Sequence, residues 1–138
     1  NARPAPEPKW YLCNAPGPNG SFLPGVVENR RCTFNYNGRN YHKDSYNIVM
    51  EATYLEWKHG GGGHVPDLAI PMGWYESTDH HRKTAYSCRT MINDKTRIGS
   101  TTDGRYCWYT HGNSWGGARN FEILTRKSWA AYKLDLTN

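Results

Sequence analysis

Apolar and polar positions change over every few residues, and no apolar run is long. The segment Arg31-Cys32-Thr33-Phe34-Asn35-Tyr36 alternates with period two, the mark of a strand. Asn37-Gly38 follows it, the strongest short hairpin signal in the chain. Further strands are predicted at 10–13, 45–50, 53–57, 85–89, 105–110, 120–124 and 128–134. Residues 22–27 read as a short apolar piece with a Pro24-Gly25 turn inside it. Residues 14–21 carry two prolines, two glycines and two asparagines and are expected as a loop. Pro4, Pro6 and Pro8 remove ladder donors and predict an extended arm over 1–9. His59 and His64 flank four glycines, a flexible connector by composition. An apolar pattern restarts over 65–74, and a polar loop is expected over 75–84.

The pattern is written twice. Cys13 and Cys32 recur 75 residues later as Cys88 and Cys107. The same offset carries Tyr11 to Tyr86, Leu23 to Ile98, Phe34 to Tyr109, Tyr46 to Phe121, Ile48 to Ile123 and Trp57 to Tyr132, with no gap. A fixed offset held over that length predicts an internal duplication. The expected fold is all-β: antiparallel sheets from two pseudo-symmetric tandem repeats, stabilised by disulfides. Its divisions are an arm at 1–9, a first repeat at 10–58, a connector at 59–64 and a second repeat at 65–138. The first copy lacks a clear counterpart of 65–74 unless the proline arm supplies one, so it is expected to borrow a strand from its neighbour or from a second molecule, as in a homodimer.

Composition supports short strands: 10 Tyr, 6 Trp, 14 Gly and 8 Pro among 138 residues. Four cysteines in a small turn-rich chain predict two disulfides and an oxidising compartment. Three connectivities are open. The duplication favours Cys13–Cys32 with Cys88–Cys107, with pairing across the repeats as the alternative. Each such loop stabilises by about 3 kcal/mol in the chain-entropy model. Neither pair has the close spacing of a zinc knuckle. The 17 basic and 12 acidic residues give a net charge of +5, spread evenly along the chain, which disfavours dedicated nucleic-acid binding. No stretch approaches the ~18 apolar residues that cross a bilayer. The chain opens on Asn1 without a signal peptide, as in a processed mature product or a trimmed one.

Cys32-Thr33-Phe34-Asn35-Tyr36-Asn37-Gly38, followed by Tyr46-Asn47-Ile48-Val49, resembles the DM-nine repeat, a short all-β unit found in tandem in small invertebrate lectins and in the lectin-like part of natterin-type proteins. Leu23-Pro24-Gly25 and Phe121-Glu122-Ile123-Leu124 match parts of its hallmark, and the resemblance spans 10–134. It implies an antiparallel β fold of two related halves and sugar binding, in several members of mannose and often as dimers. The hallmark continues Pro-Gly-Lys; here Val26 stands in place of the lysine, and Ile98-Gly99-Ser100 in the second copy carries none either.

A sugar site needs paired donors and acceptors for hydroxyls and an aromatic face for the ring. Two acid–base pairs recur at the offset, Glu28 with Arg30 and Asp103 with Arg105, each just before the second cysteine of its copy. The blander reading is a solvated ion pair worth at most ~1 kcal/mol. Residues 39–44 and 113–119 are expected as matching hairpin loops, with Trp115 among glycines as the stacking platform and Tyr41 as its counterpart. The alternative has both rings folded onto the sheet. His59, His64, His80 and His81 read as solvated loop residues, so no metal and no cofactor are expected. Asn19-Gly20-Ser21 is an N-glycosylation sequon.

No catalytic motif is present, and Glu51, Glu56 and Glu122 sit on strand patterns. The expected function is a secreted, non-enzymatic lectin in innate defence, binding glycans or glycoproteins without metal, nucleic acid or membrane insertion. An adhesive matrix protein without a sugar site is the alternative. A third reading, the recognition half of a pore-forming toxin, lacks an amphipathic insertion hairpin.

Overall fold

The computed structural model describes residues 11–49 and 54–137. The proline arm and the strand positions expected at 10, 50 and 53 lie outside them, as does Glu51. Antiparallel strands dominate the rest. In chain order they are β1 (Leu12–Pro16), β2 (Phe22–Glu28), β3 (Arg31–Tyr36), β4 (Arg39–Lys43), β5 (Asn47–Ile48) and β6 (Leu55–Gly60). The second half supplies β7 (Gly73–Glu76), β8 (Arg82–Ile92), β9 (Lys95–Thr101), β10 (Cys107–His111), β11 (Ser114–Ala118) and β12 (Phe121–Arg126), before one helix, α1 (Trp129–Thr137). They form one curled sheet with the path β11-β10-β9-β8-β7-β2-β1-β5. β3 and β4 branch from β2, and β12 and β6 branch from β8.

Local chemistry sets the turns. Asn29-Arg30, Asn37-Gly38 and Asn93-Asp94 each hold two successive residues at positive φ, as a two-residue primed hairpin requires. The Asn37-Gly38 turn therefore returns the chain at once into a strand, and the expected loop over 39–44 is β4 for most of its length. The expected loop over 113–119 is likewise a strand, β11, paired with β10. Its glycines make room for rings: a Cβ on Gly117 would stand 2.6 Å from the Trp108 indole, and one on Gly116 would collide with the Tyr109 phenol.

Three other expectations are corrected. Pro24-Gly25 is no turn but the middle of β2, where Pro24 faces Asn14 and Gly25 faces Cys13. Glycine is required there because a side chain would strike the Thr33 carbonyl. The strand expected at 128–134 is helix α1, since Ser128 caps it: the Ala131 N–H donates to Ser128 Oγ at 3.2 Å. Ala130, Ala131, Lys133 and Leu134 are good helix formers. The glycine run is also an ordered turn, in which Gly61 bridges His64 and the Gly63 N–H donates to the Gly104 carbonyl at 3.2 Å.

The disulfides are Cys13–Cys32 and Cys88–Cys107, as the duplication favours. Each lies in its own apolar cluster, one with Ala15, Leu23 and Phe34 and the other with Phe121 and Ile123. A third cluster of Leu12, Val26, Met72, Ile98 and Leu124 joins the two halves. The 75-residue offset holds for the disulfides and for β4 against β11. It slips by one residue at β9, where Gly99, not Ser100, faces Cys88 and crowds the Trp108 carbonyl as Gly25 crowds Thr33. Ile98 thus takes the place of Pro24, not of Leu23. The offset ends where β6, paired along its length with β12, would correspond to α1. Ile123 is fully buried in β12, whereas Ile48 on β5 is 49% exposed because no described strand covers that edge.

The tips of two hairpins from different halves are clasped. Asn40 Nδ2 donates to the carbonyls of Gly112 and Ser114 at 3.0 and 2.8 Å. Glu28 Oε2 accepts the Gly112 N–H at 3.0 Å. Asn40→Ala is expected to lower unfolding free energy by about 1–2 kcal/mol in urea titrations. Gly25→Ala and Gly99→Ala should each destabilise by about 2 kcal/mol or more, because backbone rather than a flexible side chain must yield. An unchanged urea midpoint in either glycine variant would show that the strands do not approach this closely.

Candidate functional site

The clasp places two indoles at the rim of a cleft. Strand alternation puts Trp108 of β10 and Trp115 of β11 on one face as diagonal neighbours, since Trp115 faces Thr110 and Trp108 faces Gly117. Their ring centroids are 6.2 Å apart and tilted by 53°. Tyr106 stacks behind Trp108 at 5.2 Å, and the tip of the β3–β4 hairpin fits beneath Trp115, whose ring would meet a Cβ on Gly38 at 3.3 Å. Despite these supports the indoles are 41% and 45% exposed. They are held in place yet open to solvent.

The cleft between these rings and the centre of the sheet measures about 380 Å³ and opens to solvent. That falls in the ~300–1,000 Å³ range of small-ligand sites. Leu23 and the β9 residues Ser100 and Thr101 line it, with Thr102 just beyond. Asn35 and Asn37 line it from the β3–β4 hairpin, and Tyr75 and Lys83 from β7 and β8. Its polar groups are pre-set by hydrogen bonds. The Tyr75 hydroxyl donates to Asn37 Oδ1 at 2.8 Å, while Asn35 accepts from the Gly38 N–H at 3.2 Å and donates to Asn40 Oδ1 at 3.1 Å. The lining thus combines aromatic faces with amide and hydroxyl groups, the complement of a pyranose with its apolar and hydroxylated sides.

Of the residues singled out by sequence, Trp115 lies in this cleft. Tyr41 is stacked on Phe34 at 5.7 Å, with Arg39 5.5 Å above its ring, so its faces are occupied. Glu28 is engaged in the clasp, and Arg30 is exposed in the Asn29-Arg30 turn. Asp103 accepts the Arg105 backbone N–H at 3.0 Å, and both residues are exposed. Neither Glu28 with Arg30 nor Asp103 with Arg105 forms an ion pair among the described residues. The two pairs also occupy unlike turns, a two-residue hairpin and a five-residue loop, so the offset does not make them equivalent.

Asn19 is exposed and donates to the Tyr36 hydroxyl at 2.9 Å, but Ser21 of the sequon is buried and bonded to the Glu76 backbone. His59, His64, His80 and His81 are exposed, and no three His, Cys, Asp or Glu side chains converge among the described residues. His81 lies 3.5 Å from Asp79, whose carboxyl is held below its usual range chiefly by the Ser77 hydroxyl. Of the carboxylates considered for catalysis, Glu56 pairs with Lys58 at 3.5 Å and Glu122 with Arg89 at 2.7 Å.

Sequence reasoning missed Trp108, Tyr75, Lys83, the Asn35–Asn37 edge and the Ser100–Thr102 floor. One signal was available: reading 114–118 as a strand places Trp108 and Trp115 on one face by period two. The floor had none, because polar residues on a strand read as solvent-facing until the curl of the sheet is known.

No curated protein matches the chain. The family model of the DM9 repeat matches residues 7–114, a range that holds both disulfides, the β3–β4 hairpin and Trp108, with Trp115 one residue beyond it. By that match, which spans most of its length, the chain belongs to the DM9 repeat family.

Proposed function

We propose that this is a secreted carbohydrate-binding protein, a lectin of two repeats (10–58 and 65–138), that holds glycans or glycoproteins in the Trp108–Trp115 cleft. One observation carries the reading: two half-exposed indoles share a cleft with six amide- or hydroxyl-bearing residues, of which Asn35, Asn37 and Tyr75 are already oriented by hydrogen bonds. Pre-set donors spare the ligand the entropy of ordering them. Among the described residues no carboxylate lines the cleft, which supports ring stacking and hydrogen bonds rather than calcium coordination as the source of affinity. The lysine after Pro-Gly that marks the mannose-binding relatives is absent at Val26, so the sugar is not assigned by that motif. Two disulfides support an oxidising, extracellular setting. Glu56 and Glu122, committed to ion pairs, support binding rather than catalysis, and innate defence is the role proposed with it.

A glycan array with and without EDTA tests this. Hits that survive EDTA are expected. Loss of signal with EDTA would remove the metal-free mechanism, and no hit at high protein concentration would leave an adhesive matrix protein as the better reading. For any glycan bound, Trp115→Ala and Trp108→Ala should each weaken affinity at least tenfold, roughly 1.4 kcal/mol. Tyr41→Phe should leave it unchanged, and an equal loss there would move the site to the other hairpin.

A further inference from the structure

Among the described residues that line the Trp108–Trp115 cleft, Lys83 is the one charged side chain. It enters from β8, in register with Tyr75, whose hydroxyl is already engaged by Asn37. Among the described residues no carboxylate lies within ion-pair distance of its ammonium. The carboxylate on the paired strand, Glu76, is committed to Arg82 at 3.4 Å. Arg82, one residue earlier and on the other face by strand alternation, is held both by Glu76 and over the Trp74 ring at 4.8 Å. Nothing comparable holds Lys83.

A second cleft of about 280 Å³ makes the contrast plain. There Arg89 is neutralised by Glu122 at 2.7 Å and stacked over Trp57 at 4.8 Å. A neutral sugar in the Trp cleft would displace some water from the exposed Lys83 ammonium and return only hydroxyl acceptors, at best an even exchange that costs part of its hydration. A ligand with its own negative charge turns that cost into attraction, strengthened where indoles displace solvent.

Resting on the lectin reading of this cleft, we propose that its ligand is an anionic sugar. The ring lies on Trp108 and Trp115, and a carboxylate or sulfate meets Lys83 Nζ. The net charge of +5 favours the same ligands at long range.

The test compares three probes by titration against tryptophan fluorescence: an oligogalacturonate, the same oligomer fully methyl-esterified, and a sulfated oligosaccharide of equal length. The acid is expected to bind about tenfold tighter than its ester at low salt. That ratio should fall toward one in Lys83→Gln and persist in Lys83→Arg. It should also shrink as salt shortens the Debye length from about 10 Å at 0.1 M to about 3 Å at 1 M. The sulfated arm shows which oxyanion is preferred. Equal binding of acid and ester by the native protein overturns the anionic specificity and leaves the lectin reading intact. A preference that survives Lys83→Gln places the recognition elsewhere on this basic surface and overturns the role of Lys83. Binding of none of the three probes overturns the anionic-sugar proposal, while the lectin reading stands or falls on the glycan array.

Discussion

Two covalent crosslinks carry what hydrophobic volume does in larger domains. This chain is rich in tyrosine and tryptophan and poor in leucine, isoleucine and valine, so few fully buried aliphatic side chains build its core. Each disulfide gathers a small apolar cluster around it, and a third cluster at the seam ties the two together. Small β domains with little aliphatic core depend on such staples. Strands fixed at both ends can then approach closely, as Gly25 does to the Thr33 carbonyl and Gly99 to that of Trp108.

The cleft follows from this arrangement. Its indoles come from β10 and β11, its amides from the β3–β4 hairpin, and its floor from β9. The bonds from Asn40 and Glu28 to the β10–β11 turn hold hairpins of the two halves at fixed separation. Stacking demands a ring held still but left open, and a tryptophan braced from behind while its face meets solvent satisfies both demands. The glycines of β11 are part of the same design, since side chains at 116 and 117 would push the Tyr109 and Trp108 rings away.

Much of the fold was legible before any coordinates. Equal cysteine spacing gave the disulfide pairing, Asn37-Gly38 the hairpin, and short alternating runs the all-β class. What failed did so for local reasons. Pro24-Gly25 carries the usual signal of a turn, yet the absence of a side chain there serves close strand contact. Ser128 was a helix cap hidden behind an aromatic residue that reads as strand. Trp115 was legible because glycines left it exposed; Trp108, Tyr75 and Lys83 were not, because a cleft made by sheet curvature joins residues far apart in the chain. The recurring Glu28/Arg30 and Asp103/Arg105 pairs are not structural equivalents, because like residues at a fixed offset fell into unlike turns.

The pairing of β6 with β12 has a consequence for how such a protein is inherited and cut. Six residues of the amino-terminal half lie in continuous register against the carboxy-terminal half, from Leu55 with Arg126 to Gly60 with Phe121. Neither half is therefore a freestanding module: severed after β6, the second half would bare the backbone of β12 as an adhesive edge. Selection then acts on the pair as a unit.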